Sequence, residues 1–233
     1  MNRVHTTGFI LHVRPYRDNS HILDLLTEAE GRTACLFRGR SQKARSFARY
    51  ELAWQGRGEL KTLSLLEEQS AVVLAAQRLA CGFYVNELAL KLLPSQIPLE
   101  GFFEDYAHTV AALARPDEDL EPLLRGYERS LLHYLGEGLE SIDLAALEPE
   151  DCYVYEAQRG LRLAGPGERS RGPCVHGETL RELLGGGVQT PRGRQEAKRL
   201  LRGLLDHHLQ GRRIMSRALF PGAAGQRQEN QEP

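Results

Sequence analysis

The chain has 233 residues, 41% of them apolar and 26% charged, with a formal net charge of −1. That composition fits an ordinary globular protein of one large domain or two small ones, and no apolar run is long enough for a membrane-spanning helix. The N-terminal MNRVHTTGFILHVRPYRDN holds only a short apolar run and no small-residue cleavage site, which argues against a secretory signal; Cys35, Cys81, Cys152 and Cys174 are scattered, which argues against a disulfide framework and for a reducing cytoplasm.

Near-neutrality conceals an asymmetry. Residues 1–75 carry 11 basic and 8 acidic side chains, residues 76–150 carry 5 and 14, and residues 151–233 carry 14 and 9. The ends therefore favour polyanions and the middle does not.

The first 75 residues read as strands. GFILHVRPY, SHILDLLT, GRTACLFRGR, YELAWQGRGEL and TLSLLEEQSAVVL are apolar runs parted by turn signals at Arg17-Asp18-Asn19, Glu30-Gly31 and Gly56-Arg57-Gly58. Five short strands suit a small barrel, and the five-stranded barrel that recurs in nucleic-acid binders is the OB-fold. The period then becomes helical. RLACGFYVNELALKLL (78–93) is apolar on two sides, as a central helix would be, and ends before Pro94. A second helix is expected over 101–114. A third follows over 120–136, with Asp117–Asp119 serving its N-terminus and Leu120, Leu123, Leu124, Tyr127, Leu131 and Leu135 on one stripe.

From 151 onward the pattern loosens. CYVYEAQRGLRLAG reads as a hairpin turning at Arg159-Gly160, GPGERSRGPC as a loop, and ETLRELLGGG as a short helix. TPRGRQEAKRLLRGLLDHHLQG is a longer helix with Thr190 as cap and Pro191 as first residue. The polar tail is expected to be disordered. The reading is α+β: a barrel domain over 1–76, a helical domain over 77–150, a hairpin, loop and helix region over 151–222 packing on the helical domain, and a disordered tail over 223–233.

Catalytic signatures are missing. GxxxxGK[ST], GxSxG, HExxH and GxGxxG do not occur. His207 and His208 point about 100° apart on a helix, Glu67 and Glu68 point to opposite strand faces, and Cys152, Cys174 and His176 make only half of a zinc ligand set. In that reading Cys152 is a small buried hydrophobe and His176 a loop residue. No enzyme activity, metal or cofactor is expected.

The stretch GRTACLFRGRSQKARSFARY (31–50) gathers Arg32, Arg38, Arg40, Lys43, Arg45 and Arg49 with no acid. Guanidinium groups bind phosphate bidentately, and Phe37, Phe47 and Trp54 lie nearby as stacking candidates. The competing explanation is a charged β edge that resists aggregation. Arg194, Lys198 and Arg202 form an i, i+4, i+8 stripe, a second candidate phosphate track or a solvated helix face. Arg125 and Arg129, with Leu124 and Leu131, fit a groove for an acidic, hydrophobic peptide; the alternative is a helical core with Glu121 pairing Arg125.

Several motifs together resemble the RecO family of bacterial recombinational-repair proteins. GFILHVRPYRDNSHILDLLTEAEGRTACLFRGRSQKA resembles that family's opening. FYVNELALKLL is similar to its Tyr-Asn-Glu-Leu helix, RGYERSLLHYLGEGL to its R-x-[FY]-E-x-x-L-L-x-x-LG segment, and RRIMSRALF to its closing motif. The resemblance spans roughly 5–220. It implies an N-terminal OB-fold and a helical domain. It also implies binding and annealing of single- and double-stranded DNA, and loading of RecA with RecR, in some species also RecF. The strands are coated by single-strand-binding protein, whose acidic C-terminal tail docks at an apolar, arginine-edged site. Arg125 falls on a motif arginine, while Gly126 stands where the family has a second one. Many members hold zinc through two CxxC pairs; this chain keeps one cysteine at each place, so no zinc is expected. The expectation is a non-enzymatic, cytoplasmic, nucleoid-associated DNA-binding mediator. A protein adaptor without DNA binding and a DNA-processing enzyme are the alternatives.

Overall fold

The computed structural model describes residues 3–17, 19–39, 44–56, 58–137, 139, 142–156, 160–165, 167–168 and 174–220. The chain forms two compact units, Asp119–Arg212 and the remainder. No described helix is long and apolar enough to cross a membrane.

The first unit is built on five strands: β1 (Arg3–Pro15), β2 (Ser20–Thr27), β3 (Gly31–Arg38), β4 (Ala48–Gln55) and β5 (Leu60–Ala71). They close into a barrel in the order β1-β2-β3-β5-β4. β1 pairs antiparallel with β2 and β4, and the parallel β3–β5 pairing, Ala34 opposite Leu60, completes the ring. This is the expected OB-type barrel. Alternation explains its interior: Leu23 and Leu25 on β2, Cys35 on β3, and Tyr50, Leu52 and Trp54 on β4 point inward with Ile10. Each fully buried large side chain contributes roughly 1.5–3 kcal/mol. Burial pushes the Cys35 thiol up to about 12, so it packs as an inert hydrophobe. Gly31 is required by its turn: its φ is 62°, and a Cβ would lie 2.3 Å from the Ile97 carbonyl oxygen.

Two helices of this unit follow the barrel, α1 (Ala76–Leu92) and α2 (Phe102–Leu113). A bulge in β1 between Ile10 and His12 breaks alternation, so Phe9, Ile10 and Leu11 are all buried. Phe9 meets the rings of Phe103 and Tyr106 at 5.5 and 5.1 Å. Asn86, on the buried side of α1, donates to the Leu11 carbonyl at 3.0 Å and accepts from the Tyr106 hydroxyl at 2.7 Å. Glycine at position 82 lets Phe47 pack on α1, since a Cβ there would lie 2.7 Å from its ring.

Glu87, the next motif residue, holds the segment after Arg212. It accepts from the backbone N–H groups of Met215 and Ser216 at 2.9 and 2.8 Å, from the Ser216 hydroxyl at 2.7 Å, and from Lys91 at 2.6 Å. Burial alone would raise its carboxyl, but these bonds outweigh it and bring the value down to about 2. A depressed carboxylate stabilises the fold fully above its unfolded value and loses that contribution as pH falls through the folded one. The window is therefore about pH 4.5 to about pH 2. Glu87→Gln should cost on the order of 3 kcal/mol at neutral pH. It should also flatten that part of the stability curve in urea titrations at stepped pH; curves that superimpose on the wild type's would refute the assignment.

The second unit contains α3 (Leu120–Tyr134), a three-stranded sheet in the order β7-β6-β8, and two further helices. The strands are β6 (Cys152–Glu156), β7 (Gly160–Leu163) and β8 (Val175–His176), and the helices are α4 (Gly177–Gly185) and α5 (Pro191–Leu209). The helix starts follow their capping chemistry: Asp119 accepts from the Glu121 N–H and Thr190 from the Gly193 N–H, both at 3.1 Å. The hairpin forms as expected. Arg159 of its turn, much of the following loop and the tail lie outside the described residues.

Two readings of this region are corrected. Cys152 and Cys174 are not separate thiols but form a disulfide, with Cα atoms 5.7 Å apart; Cys35 and Cys81 are free and buried. The cause is the antiparallel pairing of Cys152 with His176, which brings the two ends of the intervening loop together. Nor is His176 a loop residue. It closes β8, and its ring and N–H both reach the buried carboxylate of Glu196.

Candidate nucleic-acid interface

The six basic residues of 31–50 do not form one uncommitted track. Arg32 donates through Nε to the Leu93 carbonyl at 3.0 Å. It thereby caps the C-terminus of α1, where a cation suits the helix dipole. Arg45 forms a two-pronged pair with Glu68, its Nε 2.8 Å from Oε2, and this bonding holds the Glu68 carboxyl below its ordinary value. Arg49 lies with its guanidinium 5.4 Å from the Phe103 ring centroid and 3.9 Å from Glu104. Arg38, the last residue of β3, is exposed and has no ion pair among the described residues. Arg40 and Lys43 lie outside them.

The proposed stacking aromatics need correction. Trp54 is fully buried and Phe47 is 6% exposed, so neither offers a face to a base. Trp54 belongs to the inward set of β4, with the Lys61 ammonium 5.3 Å from its ring. Lys61 is itself buried and pairs with Glu30; desolvation lowers its pKa. Phe47 packs against Phe83 at 5.7 Å. Phe37 is half-buried against the barrel core.

The ladder adds neighbours that the sequence reading passed over. Arg38 pairs with Ser20, and His21 with both Phe37 and Pro15. The β1–β2 turn, with Tyr16 and Arg17, therefore stands at the same end of the barrel as Arg38. Arg14 on β1 is half-exposed and grips the buried Asp24 with two hydrogen bonds of 3.0 Å. In the sequence this end of β1 carries only the signal of a strand running into the turn at Arg17-Asp18-Asn19.

On α5, Arg194 is paired with Asp119 at 3.1 Å and lies 3.8 Å from Glu121. Arg202 lies 3.8 Å from Asp206, and Lys198 is exposed. The stripe exists, but two of its three cations have acidic neighbours.

The expected peptide groove also changes. Leu124 and Leu131 are 6% and 0% exposed; they are core side chains and cannot touch a partner. Arg125 pairs with the buried Glu128 at 2.7 Å. Arg129 donates to the Leu183 carbonyl at 2.7 Å, near the end of α4. Both arginines nevertheless line a small cavity of about 50 Å³ together with Arg194, Pro122, Leu183 and Val188. The structure thus unites Arg194 with the two helical arginines around an apolar floor.

The Cys152, Cys174 and His176 donor atoms lie within 4.8 Å of one another. They do not suit structural zinc. The sulfurs are bonded to each other, only three donors gather among the described residues, and such sites need four. The Arg192 guanidinium also contacts the His176 ring. Burial would raise the Glu196 carboxyl, but hydrogen bonds from His176, Thr179 and Arg192 hold it below its ordinary range. This cluster reads as a clasp between β8 and α5.

Comparison with known proteins agrees with this architecture. Residues 1–72 match the family model described as recombination protein O N terminal, and residues 74–218 match recombination protein O C terminal. The chain is 37% identical over 226 residues to the DNA repair protein RecO of Nitrosococcus oceani, covering 91% of each chain. It is 38% identical over 225 residues to that of Methylococcus capsulatus, again covering 91% of each. With that of Pseudomonas paraeruginosa it is 38% identical over 222 residues, covering 91% of this chain and 92% of the other.

Proposed function

The chain belongs to the RecO family of DNA repair proteins, and on that premise we propose that it is a DNA-binding recombination mediator rather than an enzyme. It holds single- and double-stranded DNA on the barrel, anneals complementary strands, and with RecR, and in some species RecF, helps load RecA on strands coated by single-strand-binding protein. The observation that carries this reading is the closed OB-type barrel with Arg38 exposed beside the β1–β2 turn. Strands 2 and 3 of such barrels and the loop joining strands 1 and 2 are where oligonucleotides bind. Annealing then needs no energy source. A basic surface screens two anionic strands from each other and releases their counterions.

The tail of single-strand-binding protein fits the cavity on the second unit. Its floor of Pro122, Leu183 and Val188 accepts an apolar side chain; a carboxylate there would meet Arg129 and compete with Asp119 for Arg194, while Arg125 stays with Glu128. This reading moves Arg194 from the DNA track to the protein site and leaves Lys198 and Arg202 as a weaker DNA contact. The test is annealing of complementary strands coated with single-strand-binding protein, its acidic tail intact or deleted. Faster annealing with the intact tail is expected; equal rates would remove tail docking from the mechanism.

A further inference from the structure

With Trp54 and Phe47 in the core, the basic stretch keeps only the half-buried Phe37 as a stacking candidate, and the β1–β2 turn supplies a second half-buried ring, Tyr16. The Arg17 guanidinium carbon lies 5.2 Å from the centroid of the Tyr16 ring. The Tyr16 N–H donates to the Ser20 carbonyl at 2.9 Å, which fixes the turn. Arg17 has φ of 51° and Asn19 has φ of 56°. Asparagine visits this left-handed region readily, whereas an arginine there is strained and glycine would not be. Backbone conformation therefore does not favour arginine at position 17, and the side-chain contact it makes is with the Tyr16 ring. No ion pair accounts for it, since Arg17 has none among the described residues; Asp18 lies outside them. Strain of this kind points to function.

The register places this pair beside the phosphate-binding candidate. Pro15 is opposite His21, and Ser20 is opposite Arg38. We infer that Tyr16 and Arg17 form a stacking site for an unpaired base of single-stranded DNA, with Arg38 holding the adjoining phosphate. The inference rests on the DNA-binding reading above and names the chemical feature that the barrel recognises. An aromatic ring and a planar guanidinium both stack on a base without regard to its sequence. Bases inside a duplex already stack on each other and offer no free face. The site therefore selects single strands, while Arg38 serves both forms.

The experiment measures affinity for a short oligothymidylate and for a duplex of equal length by fluorescence anisotropy, with melting curves for every variant. Tyr16→Ala should bind the single strand roughly tenfold more weakly and leave duplex binding unchanged. Tyr16→Phe, which keeps the ring, should match the wild type. Arg17→Gly should melt no lower than the wild type, because it relieves the backbone, yet bind the single strand more weakly. An oligonucleotide carrying 2-aminopurine should be quenched by the wild type and not by Tyr16→Ala. Equal loss on single strand and duplex with Tyr16→Ala would overturn the inference, because the ring would then only support the turn. If Tyr16→Ala binds as the wild type does while Arg38→Ala is weakened, the stacking site falls and the DNA reading stands. If neither variant changes affinity, the stacking site falls and Arg38 with it, and the DNA reading is then decided by the joint neutralisation of positions 38, 40, 43 and 45.

Discussion

Asn86→Leu is expected to destabilise the protein by roughly 3–5 kcal/mol, with the loss confined to the unit that contains the barrel. Asn86 is 3% exposed. Its amide nitrogen serves the Leu11 carbonyl on β1 and its oxygen receives the Tyr106 hydroxyl on α2. One side chain on α1 thus ties the barrel to both helices. Leucine keeps the branched outline of asparagine, but its bulkier methyl groups cannot hydrogen-bond or sit 2.7–3.0 Å from the two oxygens, so two buried polar groups lose their partner. Each orphan costs about 1–3 kcal/mol, and in a low-dielectric interior the losses reinforce each other. Burial raises the Tyr106 hydroxyl well above its usual range, so it stays protonated and still needs an acceptor. Urea unfolding at neutral pH measures the loss. The double variant Asn86→Leu with Tyr106→Phe removes one orphan and should recover about 1–2 kcal/mol of it. A single variant as stable as the wild type would mean that water or another group serves these atoms. The Asn-Glu pair of the helix motif is thereby explained: Asn86 anchors the barrel and Glu87 the C-terminal segment.

The barrel was legible because its turn residues carry their own backbone chemistry. Gly31 takes a φ of 62° that favours glycine, so the end of one strand and the start of the next could be read locally. The inward face of β4 was equally readable from the alternation of Tyr50, Leu52 and Trp54. Aromatics lying among charges fit a base-stacking surface and a core face equally in sequence, and only burial separates the two. The fate of the arginines was not readable. Arg32 meets Leu93, Arg45 meets Glu68 and Arg49 meets Glu104, partners far along the chain that only the fold brings near. The same holds for Leu124 and Leu131. Period shows that they share a stripe but not that this stripe faces the core. Cys152 and Cys174 are joined through a strand register that nothing in the intervening loop specifies. The cavity lined by Arg125, Arg129 and Arg194 was likewise not readable, because the contact of Arg194 with Asp119 joins residues far apart in the chain.

Neutralising Arg38, Arg40, Lys43 and Arg45 together is expected to weaken single-strand binding by about 100-fold or more at moderate salt. On single strands each lost phosphate contact lowers the salt slope by about 0.7. Three contacts would flatten it by roughly 2, and on duplex DNA, at about 0.9 per contact, by somewhat more. Arg45 should contribute least. It is already bound to Glu68, and an exposed pair of this kind has little to gain from exchanging one anion for another. Its removal does free Glu68, which then repels the backbone at short range. Arg45→Ala and the triple variant at 38, 40 and 43 therefore separate the effects: the triple should carry nearly the whole change in slope. The Lys198→Ala and Arg202→Ala pair on α5 should lower the slope by less than the barrel variants do. Titrations of affinity against salt decide the matter. An unchanged slope in the quadruple variant would show that the barrel end is not a phosphate track. The chain would then act as an adaptor that recognises its partners through the arginine-lined cavity alone.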